Sequence, residues 1–161
     1  MDRLVKLMLS AALLFGIASC DKVDTDRIPP VSVYLNFGNQ GMWNTYGVSG
    51  YGDHAYFSKS KQLPANYSYK ATDFTGFGGI LLIYGINGPV AYDAACPVEA
   101  KRDIVLSIDS DNFEAYCPTC GSRYNVCDAA GAPLSGEAVD KKYGLQPLSV
   151  IPSGGGYIIS R

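Results

Sequence analysis

The chain has 161 residues and a net charge of −2, which is enough for one domain with one hydrophobic core. Lysine and arginine are scattered and do not form a basic stripe. The chain therefore lacks the basic surface that is typical of a nucleic-acid-binding protein, and a nucleic-acid partner is not expected. Beyond residue 20, the sequence has no apolar stretch of the roughly 20 residues that a membrane-spanning helix needs.

The first 20 residues are predicted to be an export signal. Arg3 and Lys6 precede a short apolar run from Leu7 to Ile17, and small residues then lead to Cys20. This pattern is typical of a bacterial lipoprotein signal that ends at the cysteine receiving the lipid; a short membrane anchor is the alternative. We therefore expect a mature protein that starts at lipidated Cys20, with lipid holding it at the outer membrane or the periplasmic face of the cell envelope.

The segment that follows, residues 21–30, is polar and ends in two prolines. This composition is typical of a tether between a lipid anchor and a folded domain. The sequence therefore predicts a single domain over residues 31–161.

Short strand patterns, separated by glycine, proline, asparagine and aspartate, run through this domain. The pattern is apolar on both faces over residues 79–84, which predicts a central strand. The other strand segments are 31–37, 90–94, 104–108, 112–116, 148–151 and 157–160, with a hairpin formed by 124–127 and the residues beyond Gly131. Many short strands at this spacing predict an all-β domain, a small antiparallel sandwich or barrel.

Residues 38–77 are rich in glycine, tyrosine, asparagine and serine and show no clear period. Two interpretations stay open for the tyrosines of this segment. The sequence favours an irregular segment whose rings lie against the barrel, and the alternative is an aromatic binding surface, since tyrosine has both an apolar face and a polar tip.

The cysteines are the most informative residues. Cys20 is assigned to lipid, which leaves Cys96, Cys117, Cys120 and Cys127. An exported protein meets an oxidising compartment, and four thiols allow two disulfides in three connectivities. A metal site is the other possibility, because the Cys-x2-Cys spacing of Cys117 and Cys120 is a common half of a zinc or iron site. Cys96 and Cys127 lack this spacing, so spacing alone supports zinc only weakly.

Two cysteine loops carry a resemblance to a known family. The segments are Cys96-Pro97-Val98 and Cys117-Pro118-Thr119-Cys120-Gly121-Ser122-Arg123-Tyr124. They resemble the two cluster-binding loops of Rieske iron–sulfur proteins, which carry Cys-x-His in the first loop and Cys-x2-His in the second. The match covers about half of the chain, and lipid-anchored degenerate Rieske-like proteins of Bacteroidetes-type bacteria look similar.

The resemblance implies a Rieske-like fold with two cysteine-bearing loops and an altered ligand set. It places Val98 and Cys120 where the family has histidines, so the candidate cluster or zinc ligands are Cys96, Cys117 and Cys120, with Cys127 a weaker metal candidate. It also implies that the Ser122 hydroxyl donates to a cluster sulfur and the Tyr124 hydroxyl to a cysteine sulfur. His54 is the single histidine of the chain, so a site with two cysteines and two histidines from one chain is excluded.

If the cluster is lost, the resemblance implies that Cys96 and Cys117 are close enough for a disulfide that staples the two loops, worth about 3 kcal/mol. Cys120 and Cys127 would then pair across the hairpin. The sequence favours this case, a cofactor-free structural or binding module. The alternative is an envelope electron-transfer protein with a [2Fe–2S] cluster in which cysteine replaces histidine, and a zinc site is a third possibility. No motif assigns an enzymatic reaction, no catalytic residue is identified, and the expected partner is an unknown protein of the envelope.

Overall fold

The computed structural model describes residues 22–128 and 130–161. In chain order the elements are β1 (Val33–Phe37), α1 (Gln40–Tyr46), β2 (His54–Phe57), β3 (Phe74–Thr75), β4 (Ile80–Gly85), β5 (Gly88–Asp93), β6 (Ser107–Asp109), β7 (Glu114–Tyr116), β8 (Arg123–Asn125), β9 (Ala132–Ser135), α2 (Glu137–Lys141), β10 (Pro147–Ser153) and β11 (Gly156–Ser160). The described residues thus form a mostly β domain, as predicted from the sequence. None of the helices in the described part of the chain is long and apolar enough to cross a membrane.

The strands form two antiparallel sheets. The larger sheet has the order β2-β4-β5-β10-β11-β1-β3 and curls into a nearly closed barrel. The smaller sheet has the order β6-β7-β8-β9, and the chain enters it from the end of β5. The two cysteine-bearing loops are the connection after β5 and the turn between β7 and β8. Both therefore lie in the part of the chain that leads into or forms the smaller sheet.

Strand β4 lies at the boundary between two hydrophobic clusters. Leu81 and Ile83 pack into a cluster that also contains the loop cysteines, while Ile80 and Leu82 face an aromatic cluster on the other side. All four side chains are fully buried. The prediction of a central strand over 79–84 is therefore confirmed, and its physical basis is burial on both faces.

The other predicted strands are found with shifted ends. The segment predicted at 104–108 makes only an isolated bridge between Val105 and Ala95 before β6 begins at Ser107. The predicted hairpin is confirmed by the pairing of β8 with β9. The sequence did not predict β2, β3 or the two short helices.

The segment 38–77 packs some of its large rings inward, while those of Tyr51 and Phe74 are exposed. Tyr67 is 3% exposed, and its ring lies 5.7 Å from that of Phe37 and 5.0 Å from that of Tyr46. Trp43 in α1 is also buried and contacts Tyr157 of β11. For these rings the packed arrangement favoured by the sequence is confirmed, because their burial closes the aromatic side of the barrel.

The N-terminal part of the described chain does not behave as a free tether. Asp24 pairs with Tyr143 as an isolated bridge, Ile28 is 1% exposed, and the backbone carbonyl of Ile28 accepts a hydrogen bond from Gln146. Residues 24–28 therefore belong to the folded domain, which begins before the boundary predicted at residue 31. The lipid signal and Cys20 lie outside the described residues.

A close backbone contact links the barrel to the smaller sheet. A Cβ atom at Gly85, in β4, would lie 2.4 Å from the backbone oxygen of Cys127, so any side chain there forces the two segments apart. We expect Gly85→Ala to lower the free energy of unfolding by about 1–3 kcal/mol, the usual cost of overpacking. Chemical denaturation measures this, with Gly50→Ala as the control because a Cβ at Gly50 meets nothing within 4 Å. Equal stability of the two variants would contradict the prediction.

Candidate metal centre

Two tight loops position the cysteines. The first loop begins at Cys96, whose backbone N–H donates to Ile104 and whose carbonyl accepts from Ala100. In the second loop, the N–H of Cys117 donates to the carbonyl of Ser122 while the N–H of Gly121 donates to the carbonyl of Cys117. These bonds close each loop on its own backbone, so the positions of the thiols are set by the loops.

Three thiols meet where the loops face each other. The Sγ atoms of Cys96, Cys117 and Cys120 all lie within 4.8 Å of one another, and those of Cys96 and Cys120 are 3.7 Å apart. Cys96 and Cys117 are fully buried, and Cys120 is partly exposed. The site is therefore a buried pair of thiols with a third thiol at its solvent side.

The disulfides favoured by the sequence are absent. All four cysteines of the described chain are free thiols, so neither the Cys96–Cys117 staple nor the Cys120–Cys127 bridge is formed. Cys127 is buried but lies outside the group of three. The 3.7 Å between the sulfurs of Cys96 and Cys120 is also well beyond a sulfur–sulfur bond of about 2.05 Å. The loops are held by backbone hydrogen bonds and packing.

The hydroxyl groups of Ser122 and Tyr124, which the resemblance singles out, both contact the thiols. The Cys120 thiol donates to the Ser122 hydroxyl, with Sγ and Oγ 3.3 Å apart, and this hydroxyl also accepts a hydrogen bond from the backbone N–H of Ala138. Here the serine is therefore an acceptor, whereas the resemblance implies a donor. The Tyr124 hydroxyl lies 3.9 Å from Sγ of Cys96, and both residues are fully buried. The sulfurs are also hydrogen-bonded to backbone N–H groups, Cys96 to those of Val98 and Glu99 and Cys120 to that of Ser122. The described contacts of the sulfurs are thus with one another and with neutral hydroxyl and backbone amide groups.

The surroundings act differently on the thiols. Burial, together with the neighbouring Cys117, raises the pKa of Cys96 to about 12. Burial alone would also raise the pKa of Cys120, but hydrogen bonds with Ser122, Cys117 and Cys96 outweigh it and lower that pKa. Without a bound ion, the buried thiol is therefore held neutral and the outer thiol is the one that ionises more readily.

The nearby charged side chains have other partners. Arg123, between Ser122 and Tyr124 in the sequence, forms ion pairs with Asp109 and Glu114, and the guanidinium of Arg102 stacks on Phe77. The described contacts of these two cations are therefore with carboxylates and an aromatic ring.

The remaining predicted or possible ligands do not join the group. Val98, at a family histidine position, is a hydrocarbon side chain packed against the same core as the thiols. His54 lies in β2, where its Nδ1 is 3.3 Å from the carbonyl oxygen of Gly52. Among the described residues, the group that can hold a metal ion consists of Cys96, Cys117 and Cys120 alone.

A buried carboxylate that the sequence analysis missed supports the first loop. Asp93 is fully buried and accepts hydrogen bonds from the backbone N–H groups of Phe77, Gly78 and Ala95. It thereby ties the turn before β4 to the residue that precedes Cys96. The available signal was an aspartate at the end of an otherwise apolar strand, a position where a charged group needs several hydrogen bonds.

The fold and the site together define a small all-β domain with a group of three converging thiols, two of them buried. No protein-family model matches the chain, and neither a curated protein nor a solved structure matches it. The function is therefore inferred from the geometry of the thiols.

Proposed function

We propose that this protein is an envelope-anchored metal-binding protein in which Cys96, Cys117 and Cys120 hold one thiophilic metal ion. The observation that carries the proposal is the convergence of three free thiols from two separate loops within 4.8 Å of one another. Thiols in an oxidising compartment need a reason to stay reduced, and a bound ion supplies one.

The separation of the sulfurs supports a single ion. With Zn–S bonds of 2.3 Å, two sulfurs at corners of a tetrahedron lie about 3.8 Å apart, and the sulfurs of Cys96 and Cys120 are 3.7 Å apart. Cys120 is partly exposed, so the fourth corner of the tetrahedron is open to water. Three protein ligands with one open position is an arrangement that zinc accepts.

A two-iron cluster fits the described residues less well. A [2Fe–2S] cluster takes four ligands from the protein, and the described chain supplies three sulfurs at this site. Ligands on different irons are also farther apart than ligands on one iron, because they bind at opposite ends of the cluster. The contacts of Ser122 and Tyr124 with the sulfurs favour this electron-transfer alternative, because such contacts tune a cluster.

Metal content and absorbance of the oxygen-free, reduced protein test the proposal. We expect about one zinc ion per chain after reconstitution, loss of that zinc in Cys120→Ser, and retention in Cys127→Ser, because Cys127 lies outside the group. Cys127 is more deeply buried than Cys120, so its replacement by serine controls for the structural cost of removing a thiol.

Three outcomes would contradict a single-ion site. Zinc that stays bound in Cys120→Ser places the ligands elsewhere. Two irons per chain, with visible absorbance that bleaches on reduction, would establish the electron-transfer alternative. Failure of the fully reduced protein to bind any metal would leave the structural or binding module that the sequence favours.

A further inference from the structure

We propose that the three-thiol site selects trivalent arsenic and captures arsenous acid as a neutral tris-thiolate complex. This inference rests on the proposed function, since it names the ion for the same three thiols. Its basis is the number of thiols, the charge that they carry when bound, and the burial of two of them.

The number and spacing of the ligands match a three-coordinate ion. Trivalent arsenic keeps a lone pair and binds three sulfurs in a pyramid, so it needs no fourth ligand. The described residues bring three sulfurs within 4.8 Å of one another and place the hydrocarbon side chain of Val98 against the same core. Soft thiolates are also the ligands that soft ions prefer.

The charge of the complex discriminates among ions. Three thiolates with a divalent ion leave one net negative charge, whereas three thiolates with a trivalent ion leave none. Burial of a net charge is costly unless a partner compensates it. Cys96 and Cys117 are fully buried. The sulfurs contact groups that carry no net charge, the hydroxyls of Ser122 and Tyr124 and backbone N–H groups of the two loops. Arg123 is paired with Asp109 and Glu114. This environment therefore favours the neutral complex.

The binding reaction balances without an added base or a redox partner. One As(OH)3 reacts with three thiols to give As(SR)3 and three water molecules. Three As–O bonds and three S–H bonds break, three As–S bonds form, and each thiol proton leaves on a released hydroxyl. Arsenic stays trivalent, and the sulfurs are not oxidised.

Binding of arsenite to the full, reduced protein tests the inference. We expect mass spectrometry to show one arsenic per chain, with a mass gain equal to one As(OH)3 minus three water molecules. We also expect arsenite to displace prebound zinc. Cys120→Ser should weaken arsenite binding roughly 100-fold, the scale of losing one attachment from a multivalent contact. Cys127→Ser should bind as the parent protein does.

A second probe guards against a misfolded variant. Phenylarsine oxide offers only two positions to sulfur, so Cys120→Ser should still bind it through Cys96 and Cys117, which requires that both loops are in place. Zinc binding without displacement by arsenite would overturn the arsenic inference and leave the proposed metal site standing. If neither zinc nor arsenite bound the reduced protein, both proposals would fail together.

Discussion

Replacing Asp93 with alanine is expected to lower the free energy of unfolding by about 3 kcal/mol or more. The side chain is the acceptor for three backbone N–H groups, those of Phe77, Gly78 and Ala95, and two of these hydrogen bonds are themselves buried. Each buried donor left without a partner costs about 1–3 kcal/mol. Denaturant unfolding followed by fluorescence of Trp43 measures the loss.

Two further variants make the Asp93 result interpretable. Asp93→Asn keeps one carbonyl oxygen, so it should lose less stability than the alanine variant, but its amide N–H2 opposes at least one backbone donor. Asp111→Ala changes an exposed aspartate and should stay within about 0.5 kcal/mol of the parent. If Asp93→Ala were as stable as Asp111→Ala, the carboxylate would not be what holds the turn to the loop.

Zinc is expected to stabilise the fold strongly, because the three thiols converge only when both loops are folded. At a free zinc concentration of about 100 times Kd, binding to the native state alone adds about 2.7 kcal/mol. For a domain of this size that corresponds to a rise in Tm of roughly 5–10 °C. Calorimetry of the reduced protein with and without zinc measures the shift, which a chelator should reverse.

The cysteine variants separate this effect from nonspecific binding. Cys120→Ser should melt at nearly the same temperature with or without zinc, while Cys127→Ser should keep the full zinc-dependent shift. A zinc shift of equal size in Cys120→Ser would show that the stabilising ion does not bind at the three-thiol group. A lowered Tm with zinc would indicate that the ion prefers the unfolded chain.

Burial and hydrogen bonding at the site explain why the pKa of Cys120 differs from that of Cys96. Cys96 is enclosed by the core and held neutral by burial, whereas Cys120 lies at the surface and makes hydrogen bonds that lower its pKa. At the proposed site, the partly exposed Cys120 is therefore the thiol most accessible to an incoming ion. Because Cys96 and Cys117 are fully buried, we expect replacement of Cys120 to disturb the packing less than replacement of either of them.

The sequence by itself determined the fold class, the central strand and the candidate ligands. Burial of β4 on both faces requires a continuous apolar run, and that run is visible in residues 79–84. The three ligand candidates were identified through the resemblance of two short loops, because loop residues that bind an ion are constrained in type and spacing. The lipid anchor at Cys20, the envelope location and the function remain predictions.

Only the tertiary structure decided which cysteines lie together and that the described cysteines are free thiols. Sequence spacing could not tell a disulfide from a metal site, because both need close sulfurs and the distances between Cys96, Cys117 and Cys120 depend on how two loops distant in sequence face each other. The same holds for Asp93, whose three donors come from a turn about 15 residues earlier in the chain and from Ala95. It also holds for Ile28, which the sequence places in a polar tether but which the structure shows to be buried in the domain. Contacts between distant segments depend on packing and backbone geometry, which a local pattern of residues does not contain.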